Sequence, residues 1–187
     1  MKRLVIGLGL SLMLGACTAE APEQNAATPF IKSSADVHPA TIAANKASVK
    51  ALDFSDRRDF ERAEKGFIAT FDEGIPAYDP TIYDFVDGDA PDTVNPSLWR
   101  QSKLLAKHGL YKVTDGIYQV RSFDLSNVTF IEGDTGWIVV DPLISKEAAA
   151  RAKALVDREL GVKPISAVII THSHIDHFGG VKGLISE

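Results

Sequence analysis

The chain has 187 residues, a formal net charge of −5 and 45% hydrophobic residues, enough for one soluble domain or a small domain with an extension. The acidic balance and the lack of any dense Lys/Arg run exclude the electrostatic footprint of a nucleic-acid-binding protein. The longest apolar stretch lies at the N-terminus and is too short to span a membrane.

That N-terminus reads as an export signal. Lys2 and Arg3 supply the positive region and residues 4–14 the apolar core. Cys17, the only cysteine, ends Leu14-Gly15-Ala16-Cys17, which resembles the bacterial lipobox, where the cysteine is acylated. An ordinary cleaved signal with an incidental cysteine is the alternative. Thr18 rather than aspartate follows, which favours the outer over the inner membrane. The expectation is an exported lipoprotein, held by its lipid anchor on the periplasmic side. With Cys17 lipidated no thiol remains, and histidine and carboxylate ligands suit an oxidising compartment.

Residues 18–48 are rich in Ala, Pro, Thr, Ser and Asn and read as a flexible tether, with no role for His38. A helical extension is expected over 49–110. Within it, residues 56–70 carry Phe60, Ala63, Glu64 and Phe67 at helical spacing, weakened towards the end by Gly66. Residues 71–94 read as irregular, and a second helix opens with Asn95 as cap and Pro96 in its first turn, running to about Lys107. His108 beside Gly109 reads as a helix-end residue.

Beyond Leu110 the pattern changes to strands. Asp115-Gly116 marks a turn, Ile117 to Arg121 alternates, Asn127 to Ile131 and Trp137 to Val140 follow, and the short turns imply an antiparallel meander. Lys146 to Leu160 is an amphipathic helix with Ala148, Ala152, Leu155, Val156 and Leu160 on one face and Gly161 at its end. Ile165 to Ile170 reads as a buried strand. The fold class is α/β.

That strand leads into Thr171-His172-Ser173-His174-Ile175-Asp176-His177-Phe178-Gly179-Gly180. In extended chain His172, His174 and Asp176 project to one side, and His177 turns towards a second point as a helix begins. Gly179 and Gly180 permit a tight bend and a close backbone approach. Neutral imidazoles and a carboxylate suit zinc, and also iron or manganese. A His-rich surface turn without metal is the alternative.

Strand, H-x-H-x-D-H and Gly-Gly together resemble the metallo-β-lactamase superfamily, an αββα sandwich with a metal pair between its sheets. Residues 56–61, Gly66-Phe67-Ile68-Ala69, Asn95 to Gln101, Asp115 to Arg121, Phe123 to Asn127, Glu132 to Trp137 and Val140-Asp141-Pro142-Leu143 resemble the N-terminal part of the alkyl sulfatases, which hydrolyse dodecyl sulfate and similar detergents. The resemblance covers most of the chain beyond Asp53. It implies a partial sandwich over 111–187 preceded by the helical extension, and hydrolysis of alkyl sulfate esters to alcohol and sulfate. It also implies two zinc ions, one on His172 and His174, the other on Asp176 and His177. Asp176 thereby holds one of the ions that activate the attacking water, and Asp141 braces the metal loop. Ser126 and Asn127 either face the site or form the turn before a strand. The family's remaining ligands, dimerisation region and lipid-carrier-like domain lie downstream of the positions matched here. The 187-residue chain is therefore read as an inactive fragment of a homodimeric enzyme. Another hydrolase of the same fold (β-lactamase, thioesterase or lactonase type) and a non-catalytic metal-binding lipoprotein are the alternatives.

Overall fold

The computed structural model describes residues 37–71 and 83–185. The signal peptide 1–17, Cys17, residues 18–36 of the expected tether and residues 72–82 of the expected irregular stretch lie outside the described residues. No helix among the described residues is long and apolar enough to cross a membrane.

Helix α1 spans Pro39–Ala51, so the tether does not extend to residue 48. His38, given no role from sequence, caps this helix, its Nδ1 accepting from the Ala40 N–H at 3.2 Å. Five alanines favour the helix, and its lack of a buried residue explains why no apolar periodicity announced it. Asn45 reaches out to the carbonyls of Asp92 and Val94, fixing α1 against the chain leading to α3.

Helix α2, Arg58–Glu64, is shorter than the 56–70 expected. Gly66 adopts φ 79°, and an added Cβ there would sit 2.2 Å from the Lys112 carbonyl oxygen. The chain therefore turns out of the helix, and Phe67–Ala69 becomes strand β1 instead. Phe67 fits a helical repeat on paper, yet it packs edge-on against Tyr111 with ring centroids 5.4 Å apart. Helix α3, Pro96–Leu105, has the expected cap: the Asn95 side chain accepts from the Ser97 N–H.

Strands β2 (Gly109–Thr114), β3 (Ile117–Arg121), β4 (Val128–Glu132), β5 (Trp137–Val140) and β6 (Ile165–Ile169) complete one sheet ordered β1 to β6. The pairs from β1 to β5 are antiparallel, and from β2 to β5 the connections are short, as that pairing allows. β6 lies parallel to β5. Helix α4, Lys146–Leu160, makes the crossover between them, capped by Ser145 and ended by Gly161 at φ 90°. This is the expected mixed α/β architecture: a six-stranded sheet preceded by a helical region.

Side-chain alternation gives the sheet two unlike faces. Leu110, Val120, Val128, Phe130, Trp137 and Val139 pack with Ala148, Ala152, Leu155 and Val156 of α4 into the buried core. On the opposite face Ile117, Ile131, Ile138 and Val140 are only partly covered. β6 corrects the expectation of a buried strand. It is a sheet edge, and Ile169 and Ile170 keep 48% and 49% of their surface exposed. Its apolar run signals a strand that could be buried, and nothing among the described residues covers it.

Candidate metal centre

Two parallel strand ends build the site. The Asp141 N–H donates to Ile169 O at 3.0 Å, carrying the β5–β6 pairing one step further. Asp141 then turns into the left-handed region at φ 54°, and Leu143 follows at φ 66° with Pro142 between them. Two non-glycine residues in that region cost of order 1–3 kcal/mol each and persist only where surrounding bonds fix them. Here the fixing bonds are visible. Asp141 accepts from the Thr171 N–H at 2.8 Å, from the Thr171 hydroxyl at 2.7 Å and from His177 Nδ1 at 2.9 Å. Burial opposes ionisation of Asp141, but the bonds from Thr171 and His177 outweigh it and hold the carboxyl below its ordinary range.

Past β6 the metal-motif residues form no α-helix. Residues 175–177 and 181–183 make two single 3₁₀ turns instead. The Gly-Gly pair explains the departure. An added Cβ at Gly179 would lie 2.2 Å from Ile144 O, and one at Gly180 would lie 2.0 Å from Pro142 O. The segment is pressed backbone to backbone against the loop before α4, and the Gly180 N–H donates to Leu143 O. The expected close approach is thus to the 142–145 loop.

The four candidate ligands fall into two pairs. His172 Nε2 and His174 Nδ1 are 3.1 Å apart. Asp176 Oδ2 and His177 Nε2 are 3.2 Å apart. Two ligand atoms on one tetrahedral zinc, each about 2.0–2.1 Å from it, stand about 3.3 Å apart, so both spacings fit one edge of such a site. His172 ties the pairs together, its ring centroid 4.0 Å from that of His177 and 4.7 Å from that of His174. The far nitrogens of two rings are engaged, His177 Nδ1 by Asp141 and His172 Nδ1 by the Thr171 hydroxyl at 3.0 Å. A hydrogen bond of this kind on the non-ligating nitrogen fixes how a metal-binding imidazole points. The donor set suits zinc, and each pair offers two donors. No group of three or more His, Cys, Asp or Glu among the described residues is arranged to hold a metal ion.

Asp141, expected to brace the loop, is hydrogen-bonded to both Thr171 and His177. Ser126, left open between site and turn, is 9% exposed and donates its hydroxyl to the backbone carbonyl of Asp176. Asn127 belongs to the turn, accepting from the Ser122 N–H. Asp124 went unnoticed in the sequence. Its carboxylate accepts from the Ser126 and Ile144 N–H groups, joining the β3–β4 turn to the loop before α4. Burial pushes the Asp124 carboxyl up, against those two bonds, and the nearby Asp176 charge adds to the rise. An Asx-type turn in Asp124-Leu125-Ser126 was the available signal.

Residues 121–187 match the metallo-beta-lactamase superfamily. A linear primary-alkylsulfatase from a Pseudomonas species is 51% identical over 157 residues, covering 79% of this chain and 23% of that protein. An alkyl/aryl-sulfatase of Saccharomyces cerevisiae is 48% identical over 160 residues, covering 81% and 25%. The solved structure of a stereoselective inverting sec-alkylsulfatase from Pseudomonas superposes with TM-score 0.73 at 44% identity, covering 80% of this chain and 25% of that one. The chain thus spans about a quarter of the length of these relatives.

Proposed function

For a chain homologous to about a quarter of the alkylsulfatases and carrying a metallo-β-lactamase-superfamily segment, we propose hydrolysis of alkyl sulfate esters to alcohol and inorganic sulfate, performed by the complete enzyme of which these residues are part. The observation that carries the reading is the pairing of His172 with His174 and of Asp176 with His177, at spacings that suit two zinc ions.

His172 and His174 would hold one ion, and Asp176 and His177 would hold the other. Bound there, a zinc pair supplies Lewis acidity that activates water near neutral pH and stabilises charge on the sulfate oxygens. Asp141 keeps the His177 ring oriented, its charge maintained by the Thr171 bonds. Ser126 and Asp124 hold the peptide at Asp176 so that its carboxylate stays on the His177 side. Each ion finds two donors here and a catalytic zinc usually has three plus water, so further ligands come from outside the described residues. The same count makes this chain by itself inactive.

The N-terminal lipobox-like tetrad supports export and lipidation at Cys17, with the domain tethered on the periplasmic side. Loss of membrane association on Cys17→Ala tests that. The catalytic reading is tested on protein expressed from the whole open reading frame. It should release inorganic sulfate from dodecyl sulfate, lose that activity to a chelator and regain it with zinc. Zinc-loaded protein that opens a β-lactam or a thioester but releases no sulfate from any alkyl sulfate would overturn the substrate assignment.

A further inference from the structure

The Thr171 hydroxyl stands between two partners and owns one proton. It lies 2.7 Å from Asp141 Oδ2 and 3.0 Å from His172 Nδ1. A carboxylate can only accept, and the charge-assisted bond is the stronger of the two, so the hydroxyl proton goes to Asp141. The backbone N–H of the same residue donates to the other oxygen of that carboxylate at 2.8 Å, which fixes Thr171 in place. The hydroxyl therefore meets His172 with a lone pair, and the bond between them forms only if Nδ1 carries the hydrogen.

We propose that Thr171 is a positioning residue whose hydroxyl, its own proton committed to Asp141, sets His172 in the Nδ1–H tautomer and leaves Nε2 bare towards His174. The same carboxylate oxygen accepts from His177 Nδ1, so one buried acid sets the proton position on two rings, directly on His177 and through Thr171 on His172. A solvent-exposed histidine side chain favours the opposite, Nε2–H form. Without the hydroxyl, His172 would present a hydrogen where a cation needs a lone pair. The tautomer follows from the hydrogen-bond geometry alone. Its use rests on the reading of this loop as a metal centre.

Long-range proton–nitrogen NMR correlation at about pH 8.5, above the ordinary imidazole range, reads the tautomer directly in the metal-free chain. His172 should be Nδ1–H in wild type and in Thr171→Ser, and should shift towards Nε2–H in Thr171→Val, while His177 stays Nδ1–H in all three. An Nε2–H majority on His172 in wild type overturns the proposal, whether or not the valine variant folds. So does a valine variant that keeps Nδ1–H. Zinc titration of the same three variants, made in protein expressed from the whole open reading frame so that the further ligands are present, separates the two readings. Thr171→Val should bind zinc about 10–100-fold more weakly than Thr171→Ser, the range typical for losing a group that orients a ligand. Thr171→Val binding as tightly as Thr171→Ser would overturn the positioning role. Wild-type tautomer as stated but no zinc bound by any sample would instead overturn the metal reading and support the tautomer assignment.

Discussion

Replacing Gly180 by alanine puts the contact between the metal loop and α4 to a quantitative test. Gly180 has an ordinary φ of −84°, so alanine fits the backbone conformation and any penalty is steric. Its Cβ would lie 2.0 Å from Pro142 O, 2.7 Å from Ser145 O and 2.8 Å from the Ala149 Cβ. None of these is the far end of a flexible side chain. Overpacking costs about 1–3 kcal/mol, and obstacles of this kind place Gly180→Ala at the upper end. Alanine also restricts the unfolded chain, which returns roughly 0.4–1 kcal/mol, so the net loss should be about 2 kcal/mol. With a urea dependence of about 2 kcal/mol per molar, the unfolding midpoint should fall by about 1 M. Gly161→Ala is the matched control. Nothing lies within 4 Å of its added Cβ, but φ 90° and ψ 150° form a region nearly reserved for glycine, at a conformational cost of about 1–3 kcal/mol. Both variants should lose stability, and only Gly180→Ala should also move the His172 and His177 side-chain resonances. A Gly180→Ala midpoint within about 0.2 M of wild type, with those resonances unchanged, would refute the reasoning.

Ser126→Ala removes the hydroxyl that holds the Asp176 carbonyl and should cost about 1 kcal/mol. The loss should appear as faster hydrogen exchange at the amides of residues 177–180 and not within α4; unchanged exchange there would count against the brace. Asp124 should leave a mark on the pH dependence. A carboxyl raised on folding binds its proton more tightly in the native state, so its contribution falls as pH rises from the unfolded value, about 3.9, through the higher folded one. The stability of wild type minus that of Asp124→Asn should therefore decline across that window and level off above it. Urea melts between about pH 3.5 and 7 check this, and a flat difference would contradict it.

Local rules made much of the domain legible. Ser145, the apolar stripe of α4 and Gly161 mark one helix from end to end, and Asp115-Gly116 with alternating residues on either side marks a hairpin. Asn95-Pro96 announced α3 in the same way. Elements decided by distant contacts were harder to read. Phe67 satisfies a helical repeat, and only the Lys112 carbonyl packed against Gly66 shows why the chain leaves the helix there. β6 has a core composition but an edge position, since composition does not say whether a neighbour is present. The candidate ligands were plain from the H-x-H-x-D-H spacing. The support from Thr171, Asp124 and Ser126 was not, because it depends on strand ends and turns brought together across 20 to 50 residues of chain.

The two rims of the sheet bear differently on handling the protein. β1 is three residues long and its register breaks at a bulge, a shape that resists strand addition. β6 is a five-residue strand bonded on one side to β5, with apolar Ile169 and Ile170 half open to water. Its outer N–H and C=O groups offer a template to any passing extended segment, including the β6 of another molecule. Purified chain should therefore precipitate more readily as concentration rises. A lysine at Ala167, an exposed position in the middle of that strand, is the economical remedy and leaves every residue of the metal loop untouched.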